Sequence, residues 1–406
     1  MAIPTVTQTG QESPSTTRRP LRVGIVGFGL RSSLWRQAHH PDAGSTVTIV
    51  CDVSERGRAD ARAALPSAEV TDDLDRLLGS GIDAVLVLTP DHVHLPVALA
   101  ALTAGVPVFC EKPMATTIED CDAILQAAQQ TGTRLYVGHN MRHMPVVTQL
   151  RQIIRSGRIG NVKTVWCRHF VGHGGDFYFK DWHADRRNST GLLLQKGAHD
   201  LDVIHWLAGG FAERVSAMGD LAVYGAITDR RDRTGERMTD WYSLDNWPPT
   251  TQTGLNPVVD VEDISMMQLR LDNGVLASYQ QCHFAPDYWR NYTVIGDAGR
   301  VENFGDRPGD RIGIWDRRHD GSAAPDETVT IAGDAEGHGG ADQLMMDEFL
   351  RFVRDGGATD TSPVAARQAV AAALTATESL RGTSSALDIP ALDPAVVDYF
   401  AAGQHR

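Results

Sequence analysis

Long apolar runs, paired cysteines and an excess of positive charge are all missing from this chain. No stretch stays apolar over the roughly 20 residues that a membrane helix needs, so no membrane span is expected. The five cysteines (Cys51, Cys110, Cys121, Cys167 and Cys282) are odd in number and scattered, with no CxxC or Cys/His ligand spacing. That excludes a disulfide framework and a zinc site, and no metal ligand set is read. Lys and Arg number 38 against 51 Asp and Glu, a net charge of −13, which argues against a nucleic-acid groove or an anionic membrane surface as partner. The first 20 residues are rich in Thr, Ser, Gln and Pro and lack an apolar signal core. Arg18-Arg19 precede an apolar run, but that run belongs to the glycine turn described next, so cleavage there would destroy it. Residues 1–20 are read as a flexible tail and the compartment as a reducing cytoplasm.

What is present begins at Leu21. The stretch LRVGIVGFGLRSS places Gly27-Phe28-Gly29 directly after an apolar strand and at the mouth of a helix. Gly27 permits a tight strand-to-helix turn, and Gly29 lets phosphates approach the backbone. The amides of the helix start, with the positive end of its dipole, face the negative charge. Ser32 stands where the third glycine of the usual fingerprint would be. Asp52 closes the next apolar run, Val47–Cys51, where an acidic residue holds the adenosine ribose hydroxyls. It arrives a little late, consistent with a longer turn around Pro41 to Ser45. A nicotinamide dinucleotide is therefore expected, with NAD preferred over NADP because Asp52 would repel the extra phosphate. The expected contacts are Gly27, Phe28, Gly29, Leu30, Arg31, Ser32, Asp52, Thr89, Pro90, His94, Glu111, Lys112 and Asn140.

At 406 residues the chain is long enough for two or three domains. Val23–Val26, Val47–Cys51, Ala84–Leu88, Val106–Cys110 and Leu135–Val137 alternate with helical stretches. This beat predicts a doubly wound parallel sheet, an α/β Rossmann domain over residues 21–143. Beyond Pro145 the pattern turns to period-2 runs, including Val162–Phe170 and Ile264–Leu271, and Asp272-Asn273-Gly274 signals a hairpin. Residues 144–406 are thus read as an α+β domain with a large, mostly antiparallel open sheet. A helix over Thr190–Leu207 is expected against it, and helices at Ala341–Arg354 and Pro363–Arg381 return to brace the first domain. Gly172–Asn188 and Ala226–Val258 read as long irregular segments.

Ligands bind beyond the carboxyl ends of parallel strands, and Thr89-Pro90-Asp91 and Glu111-Lys112-Pro113 occupy two such ends. A lysine there can stabilise an alkoxide-like oxygen as hydride leaves its carbon. From spacing alone the plainer reading is favoured, a surface lysine paired with Glu111. On a helix, Gln195, His199, Asp202 and Trp206 share one face, while Lys196 and Asp200 could form an i,i+4 ion pair. A histidine near its ordinary pKa of about 6.5 can take a hydroxyl proton, although a lone helix histidine is more often structural. His92 and His94 follow a strand end and could line the cofactor side, and His139 and His143 sit near the domain junction; packing is the favoured reading of both pairs.

Five motifs together resemble the glucose–fructose oxidoreductase/inositol dehydrogenase (Gfo/Idh/MocA) family: GIVGFG (24–29), TPDHVH (89–94), EKPMATT (111–117), GHNMRHMP (138–145) and GAHDLDVIHWLAGG (197–210). The resemblance covers residues 21 to about 381 and implies that Lys112 is catalytic, that His199 is the general base, and that Lys112-Pro113 is cis. It departs from the family at Gln195, where many members carry an Asp that assists proton transfer and binds a substrate hydroxyl. A neutral amide cannot carry the proton, so His199, with Asp202 as support, acts more alone, or Lys112 carries more of the task; Lys196 adds a second cation.

The expected reaction is hydride transfer between NAD and a secondary hydroxyl of a sugar, cyclitol or glycoside. Substrate contacts are expected from Lys112, Asp181, Trp182, Gln195, Lys196, His199 and Arg290. The aromatics of Asp176–His183 and Tyr288–Asn291 either cover sugar faces or fill a core or subunit interface. Two rival functions share these residues: glycoside cleavage by transient oxidation and elimination, and a non-catalytic NAD or sugar sensor. Family analogy implies a homodimer or homotetramer.

Overall fold

The computed structural model describes residues 19–333 and 340–404; the expected tail lies, up to residue 18, outside them. Six short strands, β1 Leu21–Val26, β2 Ser45–Cys51, β3 Glu69–Thr71, β4 Ala84–Val87, β5 Val108–Cys110 and β6 Leu135–Val137, form one parallel sheet in the order β3-β2-β1-β4-β5-β6. β1, β4, β5 and β6 are buried through most or all of their length, as strands covered on both faces must be. β3 was not anticipated, because Glu69, Val70 and Thr71 form an edge strand too short and too polar to show a period.

The second sheet has nine strands: β7 Val162–Phe170, β8 Ala212–Asp220, β9 Ile264–Leu271, β10 Leu276–Cys282, β11 Trp289–Gly296, β12 Arg300–Phe304, β13 Arg311–Trp315, β14 Glu327–Thr330 and β15 Leu387–Asp388. Their order is β14-β13-β12-β11-β7-β10-β9-β8-β15, antiparallel except where β7 runs parallel to β10. The Asp272-Asn273-Gly274 turn joins β9 to β10, with Gly274 at φ +83°. One face of this sheet carries the helices Ala198–Ala208 and Pro363–Arg381; the other leaves Trp166, Met218, Met266 and Leu276 exposed.

The expected helix over 190–207 is broken. Thr190 sits at φ 62°, and Leu193–Gly197 forms a wide π-type turn before the regular helix Ala198–Ala208 begins. Such insertions re-aim side chains and concentrate at functional sites. The returning helix Ala341–Asp355 does brace the first domain. Phe349 packs edge-on against Phe109 at 5.4 Å, and Tyr136 donates to Glu348 at 2.8 Å. The long 226–258 segment reaches the glycine turn, where Arg237 donates to the Phe28 carbonyl at 2.9 Å and pairs with Asp60. Gly172–Asn188 is less irregular than expected, because Gly175–Phe179 forms a second wide turn whose Phe179 stacks on buried Tyr224 at 4.3 Å.

Candidate active site

At the mouth of the first sheet, Gly27 adopts φ +90°, and a Cβ there would lie 2.8 Å from the Thr89 amide nitrogen. Only glycine fits that turn. A Cβ at Gly29 would meet nothing within 4 Å, so this backbone faces open space in front of the helical turn Leu30–Leu34. Ser32 donates from its amide to the Gly29 carbonyl at 3.1 Å, closing the turn that follows the fingerprint. Phe28 buries its ring and donates its amide to Asp52 Oδ2 at 2.6 Å, while Ser54 donates its amide and hydroxyl to Oδ1 at 2.7 Å. Asp52 is thus anchored beside the turn. Arg31 pairs with Glu111 at 2.7 Å and with Asp342 at 3.1 Å, and Asn140 donates to Asp342 at 2.9 Å. The Thr89 hydroxyl and the Asn140 side-chain oxygen are buried with no protein partner among the described residues. An open glycine backbone, an anchored carboxylate and two orphaned polar oxygens are what a dinucleotide would use, so the residues present fit one.

His94 takes the packing role and not that of a cofactor contact. It is fully buried, with its ring nitrogens against the Pro113 and Thr89 carbonyls at 2.8 and 3.0 Å, and it braces these two strand ends from behind. Pro90 leads into the same turn.

Lys112 precedes a cis peptide bond to Pro113. The plainer reading of this lysine fails, because Glu111 gives its carboxylate to Arg31. Lys112 Nζ instead crosses to the second domain and donates to Gln195 Oε1 at 3.0 Å and to the Gln195 carbonyl at 3.2 Å. The wide turn Leu193–Gly197 presents both oxygens. Gln195 donates in turn to Asp91 Oδ2 at 2.7 Å. Burial lowers the Lys112 pKa, opposed by Asp91 and Glu111.

His199 opens the next helix and is almost fully buried, its Nδ1 without a partner among the described residues. Burial, then the charges of Lys112 and Lys196, hold its pKa well below the ordinary histidine value. The imidazole is therefore neutral. Lys196 lies beside it, brought down to about 7 by burial, Arg290 and Lys112.

Two expected pairings are corrected. Asp200 does not pair with Lys196; its buried carboxylate accepts from His169 at 2.9 Å, Tyr279 at 3.0 Å and Tyr292 at 2.5 Å, and pairs with Arg290 at 3.0 Å. Asp202 does not support His199. It is held bidentately by Arg142 at 2.7 Å, with His139 at 3.6 Å. Spacing on one helix could not reveal either partner, since both come from distant strands and turns.

Among the expected substrate residues, Lys112, Gln195, Lys196 and His199 come together. Arg290 is 3% exposed and engaged by Asp200 and by Asp306 at 3.4 Å, so it acts on Lys112, Lys196 and His199 through charge. Trp182 stacks on His183 at 3.7 Å and meets His92 edge-on, and Asp181 caps the Trp182 amide at 2.7 Å. Around them the aromatics divide: Phe179 fills a core, whereas Trp182 stays half-buried. Asp91 was not assigned a role from sequence. Its position directly after Thr89-Pro90, at a strand end, was the available signal.

The family model described as "Oxidoreductase family, NAD-binding Rossmann fold" matches residues 21–139, and the GFO/IDH/MocA C-terminal domain matches residues 147–302. The chain is 26% identical over 325 residues to the putative oxidoreductase YteT of Bacillus subtilis (strain 168), covering 70% of this chain and 75% of that protein. It is 35% identical over 192 residues to an inositol 2-dehydrogenase of Klebsiella pneumoniae subsp. pneumoniae, covering 46% of this chain and 54% of the relative. That match spans about half of the inositol dehydrogenase. In fold it is similar to a levoglucosan dehydrogenase solved with NADH and levoglucosan, with a TM-score of 0.75, 21% identity and coverage of 92% of this chain and 100% of that one. With both of its domains matched in order over more than half of its length, the chain belongs to the GFO/IDH/MocA family of NAD-binding oxidoreductases.

Proposed function

We propose that the protein is an NAD-dependent dehydrogenase acting on a secondary hydroxyl of a sugar, cyclitol or glycoside. The observation that carries this reading is the hydrogen bond from Lys112, at the end of β5, to Gln195 of the second domain, with His199 on the following helix within reach of the Lys112 charge. When bound, NAD supplies the hydride acceptor. Lys112 has three N–H bonds, two of them given to Gln195; the third is left for the substrate oxygen. There it stabilises the negative charge that grows as hydrogen leaves the carbon with its electron pair. His199 is uncharged and takes the hydroxyl proton. Burial and then the surrounding cations disfavour the resulting imidazolium, so the proton goes on from the ring to solvent water. Asp181, Trp182 and Lys196 are assigned to hydroxyls and a sugar face. The names of the inositol and levoglucosan dehydrogenases support a polyol substrate.

The domain division at 143/144 and a homodimer or homotetramer belong to the same reading. Met218 and Met266 are paired in register on the outer sheet face, with Trp166 nearby on β7, and exposed apolar patches of this kind mark contact surfaces. Five free thiols support a reducing cytoplasm; no described helix is long and apolar enough to cross a membrane. The test is a panel of polyols and glycosides with NAD, following NADH absorbance and released aglycone together. NADH formation supports the dehydrogenase. Aglycone release without NADH would replace it with glycoside cleavage, and cofactor binding without any turnover would replace it with a sensor.

A further inference from the structure

Gln195 is held at both ends by ionisable groups. Its amide oxygen accepts from Lys112 at 3.0 Å, and its amide nitrogen donates to Asp91 at 2.7 Å. An ammonium only donates and an ionised carboxylate only accepts. One amide orientation satisfies both contacts, and a flip breaks both. Asp91 is 5% exposed on the turn Asp91–Val93 after β4. Among the described residues, the ionisable groups that act on it include Lys112, Glu111 and Cys110 at the end of β5 and Tyr178 from the turn Gly175–Phe179; His94, on the helix packed against the Asp91–Val93 turn, is taken by the Pro113 and Thr89 carbonyls. Glu111 is taken by Arg31. Arg186 and Arg187, on the short helix packed against this turn, are taken by Asp260 and Asp185. Lys112 is therefore the cation that answers Asp91, and it does so through the amide.

We propose that Asp91 is the positioning carboxylate of this active site, acting through Gln195 to fix the direction and the charge of the Lys112 ammonium. This assignment rests on the dehydrogenase reading of Lys112. It relocates a carboxylate behind the amide instead of placing it at position 195. Burial lifts Asp91 to about 7 against the pull of Lys112 and Gln195. Above that pH the carboxylate is ionised and the amide is locked. Below it the acid can itself donate, and the lock is lost.

Asp91→Asn removes the charge and keeps the shape. The expected result is a fall in kcat of about 100-fold, KM within about twofold, and loss of the acid limb near pH 7 from the kcat profile. A second readout needs no turnover: acetic anhydride labelling of Lys112 across pH, quantified by peptide mass spectrometry. The apparent pKa of Lys112 is expected to fall by about one unit in Asp91→Asn, and likewise in Gln195→Leu, which removes the bridge and keeps Asp91. Wild-type kcat, pH profile and labelling in Asp91→Asn overturn the proposal. If the wild-type protein oxidises no polyol, the dehydrogenase reading falls, and the labelling still decides the coupling: a shift sustains it and no shift overturns it.

Discussion

Lys112 reaches across the domain boundary to Gln195, 3.0 Å from the amide oxygen and 3.2 Å from the backbone oxygen. The lysine stands at the end of a parallel strand, and its partner lies on a wide turn laid against the second sheet. Neither half holds the candidate site alone, so the packing of the two domains sets its geometry.

His199 is expected to be the base. His199→Asn should lower kcat by about 10²- to 10⁴-fold while NADH affinity, read by fluorescence titration, stays unchanged. Because burial and neighbouring cations hold its pKa well below the ordinary value, His199 adds no limb of its own near pH 6.5. Residual activity in the variant should keep the wild-type acid limb; its loss would assign that limb to His199.

Asp52 is expected to set cofactor choice. Its carboxylate is pinned by Phe28 and Ser54, and neither nearby arginine hydrogen-bonds that carboxylate. Arg58 donates to the Asp52 and Val53 carbonyls, and Arg56 reaches Gly235 and Asp240. Two unit charges 4 Å apart repel by about 4 kcal/mol at an effective dielectric of 20. Allowing for solvent, NADPH should bind at least about tenfold more weakly than NADH, about 1.4 kcal/mol, and Asp52→Ala should narrow the gap. Equal affinities in the wild-type protein would contradict this role.

Asp202 is a stability element. Burial pushes its carboxyl up, but the Arg142 fork and His139 outweigh that and hold it below the usual range. Its contribution is therefore complete above the unfolded value of about 3.9 and is lost as pH falls through the lower folded value. Asp202→Ala strands a buried guanidinium and should cost about 3–5 kcal/mol in urea unfolding at pH 7, with a smaller difference under acid conditions. An equal cost at both pH values would show that the charge is irrelevant.

The outer sheet face should carry the oligomer. A Trp166→Glu, Met218→Glu double variant is expected to sediment as a folded monomer, whereas the wild-type protein sediments as a dimer or tetramer. A wild-type monomer would remove the need for that contact.

Much of this was legible in the sequence because it is local. The glycine turn, the Asp272-Asn273-Gly274 hairpin and the strand-end lysine follow from short-range periodicity and turn chemistry. What was illegible depends on partners far along the chain. Asp200 looks like half of an i,i+4 pair until His169, Tyr279 and Tyr292 arrive from three strands. The π-type turn at Leu193–Gly197 has no periodic signature, yet it aims Gln195 at Lys112. Asp91 sits one residue past a noted proline, and its meaning appears only with the amide placed against it.

The central claim is that Lys112 stabilises charge on the oxygen of a substrate undergoing hydride loss. It is tested most directly by stopped-flow single turnover of wild-type protein and Lys112→Ala, each saturated with NAD and mixed with a polyol that the wild type oxidises. The expected result is a NADH burst in the wild type, slowed at least about 100-fold in Lys112→Ala, with cofactor affinity equal in the two. Matching burst rates would contradict the account.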